Sequence, residues 1–170
     1  MKSKENIVFL GMMGSGKSSI GLLIAKKLKL SFVDVDKEIE KELNLSISKI
    51  FETKGEEFFR KFEEKVTLKK LKLSSVVISL GGGAFVNKNV RQEVLKNHIS
   101  FWLNCDNETL LNRIKNSKKR PLAFNSTENE LINLIKKRSN TYSKALYEIK
   151  CDNLSKNEIV KNILKTYETY

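Results

Sequence analysis

Residues 7–28 read IVFLGMMGSGKSSIGLLIAKKL, an apolar strand that runs into Gly11, Gly14 and Gly16, then a lysine and two serines, then a helical apolar repeat. Few junctions restrict a chain so tightly. Gly11-x-x-x-x-Gly16-Lys17-Ser18 completes the P-loop pattern, with a strand before it and a helix after it as that pattern requires. Glycines let the backbone turn with positive φ and come close to an anion. Successive N–H groups then point inward, and the helix N-terminus adds its partial positive charge. The loop and first helical turn, Gly14, Ser15, Gly16, Lys17, Ser18 and Ser19, are therefore expected to bind a nucleoside triphosphate. Lys17 is expected to reach the β- and γ-phosphates, and the Ser18 hydroxyl to take a place on Mg²⁺. The motif alone does not name a reaction.

The periodicity around this junction alternates between strand and helix. Short strand-like runs fall at 6–10, 31–35, 76–80, 99–103 and 146–150. Amphipathic segments lie at 18–28, 37–43, 56–73, 90–96, 108–116, 128–138 and 156–167, two of them opening with capping boxes, Thr127 with Glu130 and Ser155 with Glu158. Such alternation means a parallel sheet covered by helices on both faces, an α/β fold. At 170 residues the chain reads as one domain, 1–170.

Charge and cysteine usage exclude more than they assign. The net charge of +12 rests on lysines scattered along the chain, which reads as a solvated surface and not as a nucleic-acid stripe. No apolar run reaches the roughly 20 residues of a membrane span, and the N-terminal stretch is too short before its glycine for a secretory signal. The reading is a soluble, cytoplasmic protein that acts on small molecules, with no nucleic-acid or membrane partner, as a monomer. Cys105 and Cys151 belong to no CxxC and read as buried free thiols; with His98 as the lone histidine there is no zinc set.

Several polar groups stand out against this background. The second strand runs into Asp34-Val35-Asp36, and period-two alternation puts both carboxylates on one side if the strand persists that far. One could serve Mg²⁺ and the other accept a hydroxyl proton; equally, either could cap the following helix. Of 32 basic residues only Arg60, Arg91, Arg113, Arg120 and Arg138 are arginine, whose planar fork grips carboxylate or phosphate with two bonds. Arg60 lies one helical turn from Glu63 and Glu64. Arg138 closes a helix, and Arg91 has the weakest case. Gly81-Gly82-Gly83 after the third strand suggests a ligand pressed against bare backbone, or else a flexible turn. The basic segment KNSKKRPLAFNS, residues 115–126, reads as a mobile loop.

Taken together, GMMGSGKSSIG, DVDKEIE, FFRKFEEKV, SLGGGAF, KKRPL and KKRSNTY resemble, in order and spacing, the motifs of the shikimate kinases along nearly the whole chain. The resemblance implies a three-layer α/β/α sandwich of P-loop type. Its five-stranded parallel sheet would run in order 2-3-1-4-5, with a mobile lid at about 113–126. It implies ATP-dependent phosphorylation of the shikimate 3-hydroxyl on the route to chorismate and the aromatic amino acids. Arg60 and Arg138 would then bind the shikimate carboxylate, Asp36 its hydroxyls as the candidate base, and Gly81, Gly82 and Gly83 its ring. Ser18 and Asp34 would serve Mg²⁺, Arg113 would stack on adenine, and Arg120 would join Lys17 in catalysis from the lid. Two departures stand out. Asn140 replaces a usual proline after Arg138, which implies a less rigid turn there, and Ala123 stands where a second leucine is more usual. Gluconate or nucleotide kinases on the same scaffold, and a non-catalytic nucleotide- or RNA-binding protein, are the rival readings.

Overall fold

In the computed structural model, residues 5–115 and 126–170 are described. The basic segment between them, with Arg120 and most of the expected lid, lies outside the described residues. β1 (Ile7–Leu10) and α1 (Lys17–Leu28) flank the glycine loop; β2 (Ser31–Asp34) leads directly into α2 (Val35–Leu43) and then α3 (Ile47–Leu71). β3 (Val76–Ser79), a 3₁₀ turn (Ala84–Val86), α4 (Lys88–Asn97), β4 (Ile99–Asn104), α5 (Asn107–Lys115), α6 (Glu128–Tyr142), β5 (Tyr147–Lys150) and α7 (Lys156–Glu168) complete the order. The sheet is all parallel, in order β2-β3-β1-β4-β5. β1 is central, with Ile7 opposite Val77 on one side and Ile99 on the other. All four of its residues are buried, as expected of a parallel strand covered on both faces. Because β1 and β3 both run toward the glycine loops, the carboxyl ends of the central strands open on one crevice.

Local sequence accounts for most element ends. Both capping boxes form: the backbone N–H of Thr127 donates to Glu130 at 2.6 Å and that of Ser155 to Glu158 at 2.8 Å. Lys29 and Asn44 close α1 and α2 in the left-handed conformation. Buried Asn6 ties two elements together, its amide donating to the carbonyls of Leu71 and Leu73 and its oxygen accepting from Val76 N–H. That clamp ends α3 and starts β3, since each of these buried backbone groups needs a partner.

Candidate active site

The glycine loop is built as the motif demands. Gly11, Gly14 and Gly16 have φ of 143°, 84° and 94°, a region that disfavours any side chain. A Cβ on Gly11 would also stand 2.8 Å from the Leu103 carbonyl oxygen, so this turn must pass hard against the end of β4. Lys17 is buried, and its ammonium donates to the carbonyls of Gly11 and Met12 at 2.9 Å each. The Ser15 hydroxyl is buried without a hydrogen-bond partner. Ser18 Oγ donates to Asp34 Oδ2 at 2.5 Å.

That contact revises the sequence expectation for Asp34 and Asp36. β2 stops at Asp34, and Asp34 caps α2 by accepting from Lys37 N–H at 3.3 Å. The two carboxylates are not alternate residues of one strand. Asp34 is the cap and Asp36 stands in the first helical turn. The capping alternative and the site placement hold together, because the cap also faces Ser18.

Gly81 and Gly83 of the glycine triplet are explained by space and not by backbone freedom, since none of its three residues has positive φ. A Cβ on Gly81 would collide with the Glu63 carboxylate and stand 2.7 Å from Asp36 Oδ1. One on Gly82 would lie 3.5 Å from Arg138 Nη1 and 3.4 Å from the backbone nitrogen of Met13, and one on Gly83 would collide with the Arg60 guanidinium. Gly81 and Gly83 therefore give room to the Glu63 and Arg60 side chains, while a Cβ at Gly82 would make ordinary contacts. The buried Tyr142 hydroxyl donates to the Gly82 carbonyl and so anchors the triplet to α6; burial pushes that phenol up to about 12, so it remains a donor throughout the neutral range.

Arg60 Nη1 donates to Glu63 at 2.7 Å, and its Nε and Nη2 both donate to Glu56 at 3.2 Å. Burial opposes the guanidinium charge, but Glu63 and Glu56 outweigh it and raise the Arg60 pKa. Glu63 responds in the other sense. It is 3% exposed, and burial raises its carboxyl above the usual range despite Arg60. Glu63 was legible only as a residue one turn from Arg60; its burial, and its convergence with Asp36 on Gly81, come from the fold.

Two helices differ from expectation around this wall. α6 continues to Tyr142, so Arg138 lies inside the helix, 7% exposed, and does not end it. With asparagine at 140 the helical ladder carries through where proline would interrupt it, so the expected looser turn is instead a continuous helix. α3 is two helices joined across Gly55, which has φ 80° and ψ 169°; the second starts at the expected residue 56, and the first, from Ile47, is the part that the periodicity did not show. That pair of angles is essentially restricted to glycine. Nothing lies within 4 Å of a Cβ added there, so Gly55→Ala tests backbone strain alone. It is expected to destabilise the protein by about 1–3 kcal/mol in chemical denaturation. An unchanged midpoint would show that the kink is not required.

The cradle and this wall line one cavity of about 520 Å³, which holds Gly14, Gly16, Lys17 and Ser18 on one side and Asp36, Arg60 and Arg138 on the other. Arg113 also lines it and donates to the Gly14 carbonyl at 3.0 Å. Arg91 lies apart, holding the carbonyls of Phe85 and Val86 at the 3₁₀ turn. Among the described residues no cluster of three or more His, Cys, Asp or Glu could hold a metal ion, and no helix is long and apolar enough to cross a membrane.

The family model for shikimate kinase matches residues 13–168. A shikimate kinase from Bartonella quintana is 38% identical over 168 residues, 98% of this chain and 80% of that protein. Among solved structures, shikimate kinase from Acinetobacter baumannii in complex with shikimate is 31% identical, covers 97% of this chain and 93% of that one, and superposes with a TM-score of 0.92. The Aquifex aeolicus shikimate kinase is 38% identical over 96% of each chain, with a TM-score of 0.86. A gluconokinase from Sinorhizobium meliloti, 14% identical with a TM-score of 0.58 over 99% of this chain and 94% of that one, shares the fold alone.

Proposed function

Because this chain belongs to the shikimate kinase family, we propose which of its side chains carry the ATP-dependent phosphorylation of shikimate that it performs in aromatic biosynthesis. The observation that carries the assignment is the shared cavity, lined by a phosphate cradle on one side and by Asp36, Arg60 and Arg138 on the other. A carboxylate-bearing cyclic alcohol offers that wall an anion for the arginines, Arg60 giving up donors now on Glu56 and Glu63, and hydroxyls for Asp36.

In this reading the N–H groups of residues 14–18 and the Lys17 ammonium hold the β- and γ-phosphates. Lys17 exchanges its two carbonyl partners for phosphate oxygens. Arg60 and Arg138 fork the shikimate carboxylate, and the ring lies against the triplet, where no Cβ obstructs it. Asp36 accepts the proton of the 3-hydroxyl as that oxygen attacks the γ-phosphorus, and the bond to the leaving ADP oxygen breaks. The protein's part is chiefly positioning and charge neutralisation. Arg113 lies beside the loop and lines the cavity; in this reading its guanidinium plane stacks on adenine. Ser18 and Asp34 are adjacent oxygen donors, a set that suits Mg²⁺ with waters and phosphates completing its shell. Held there, Mg²⁺ would supply charge neutralisation for the transferring phosphates. The free, buried thiols fit a reducing cytoplasm.

The direct test compares shikimate, gluconate and nucleoside monophosphates as acceptors in an ADP-release assay; ADP release that does not depend on shikimate ends the proposal. Arg60→Lys keeps the charge but loses the fork. It is expected to weaken shikimate by about 1–3 kcal/mol with little change for ATP. Equal loss for both ligands would show that Arg60 acts on the nucleotide side.

A further inference from the structure

Cys105 and Cys151 follow the last paired residues of neighbouring strands, Asn104 opposite Lys150, and Cys151 N–H donates to the Asn104 carbonyl at 2.8 Å. Adjacent strands lie about 5 Å apart, within the Cα separation that a disulfide spans. The two thiols are free, and Cys151 S–H donates to the carbonyl of Ile149 at 3.3 Å. Cys105 has a further contact: its S–H donates to the carbonyl of Ser15, inside the phosphate cradle, at 3.7 Å. The mechanism uses neither thiol.

We propose that Cys105 and Cys151 form a peroxide-sensitive dithiol whose oxidation to an intrachain disulfide loosens the nucleotide cradle. The Cys105 thiolate attacks one oxygen of hydrogen peroxide. The O–O bond breaks, hydroxide leaves, and Cys105 becomes a sulfenic acid. Cys151 then attacks that sulfur, the S–O bond breaks, and water departs with the proton of Cys151. Two thiols are oxidised and one peroxide is reduced to two waters. The order follows the local electrostatics. A hydrogen bond from Cys151 to the Cys105 thiolate, with the Arg113 guanidinium nearby, lowers the Cys105 pKa against the pull of burial, while the same neighbour and burial raise Cys151. At 5% and 9% exposure the pair admits a small oxidant in preference to a bulky one.

The disulfide has no S–H. Oxidation therefore removes the donor from the Ser15 carbonyl and turns the Cys105 sulfur toward β5, away from the loop. Trp102, the single tryptophan, lies 3.5 Å from the Cβ position of Gly11 and reports on the same loop. The inference rests on nucleotide binding by that loop, which ADP titration of the untreated protein checks separately. With limiting hydrogen peroxide the wild-type protein is expected to lose both titratable thiols as an intrachain disulfide. Its ADP affinity should fall by roughly tenfold, the scale of a small misplacement of binding groups. Its tryptophan emission should change, and dithiothreitol should reverse all three effects. Cys151→Ser and Cys151→Ala are expected to bind ADP as wild type does and, with no disulfide to form, to keep that affinity after the peroxide treatment that lowers it in wild type. The proposal is overturned if both thiols still react after peroxide treatment and unfolding. It is also overturned if the disulfide forms with ADP affinity unchanged, or if the Cys151 variants lose affinity as wild type does, which would place the damage at Met12 or Met13.

Discussion

Asp36→Asn is expected to lower kcat by about 10²–10⁴-fold, the usual contribution of a positioned general base, while ADP still binds at wild-type affinity. The substitution keeps size and hydrogen-bonding reach but removes the acceptor for the hydroxyl proton. Asp36 is half-buried in the first turn of α2, and its carboxylate converges with that of Glu63 on the glycine at position 81. The amide should therefore still fit the site, and shikimate affinity should change much less than turnover. Single-turnover measurements with saturating ATP separate the two effects. Turnover close to wild type would remove Asp36 from proton transfer. A fall in affinity matching the fall in turnover would make it a binding group only.

Lys17→Ala is expected to reduce kcat/KM by about 10²–10³-fold, the cost of removing one preorganised donor from a developing negative charge, and to weaken ADP as well. The ammonium is buried at the loop and held by two carbonyl oxygens. In the variant those carbonyls lose a donor, so the loop itself should loosen. Shikimate affinity measured in the absence of nucleotide is the internal control, because Arg60, Arg138 and Asp36 are untouched. A parallel loss of shikimate binding would show that the defect spreads through the fold. Lys17→Arg, which keeps the charge in a larger head, is not expected to rescue a pocket this closely built.

How far the sequence carried differs from element to element. The strand–loop–helix junction was readable because glycine, lysine and serine at fixed offsets act on their own backbone and on one anion. Both capping boxes were readable for the same reason: donor and acceptor lie three residues apart. The strand order came from family resemblance, since periodicity ranks no strand pairing. The pattern overran at Asp36 because a strand period cannot reveal that the preceding aspartate ends the strand by capping the next helix. It placed the helix after Gly55 at its start but missed the helical stretch before it, residues 47–54, because about two turns show too little period to read. Arg60 and Arg138 were marked by rarity among lysines, but their common cavity was not visible from that.

The sequence by itself therefore determined the phosphate loop, the helix caps and the chemical character of the groups available, because each depends on residues within a few positions of one another. Only the tertiary structure decided that Gly81, Gly82 and Gly83 face Glu63 with Asp36, Arg138 and Arg60 in turn, that Glu63 is buried, and that Cys105, one strand over from Cys151, touches the Ser15 carbonyl. Those placements join residues far apart in the chain. They are set by strand register and helix packing, which no local propensity encodes.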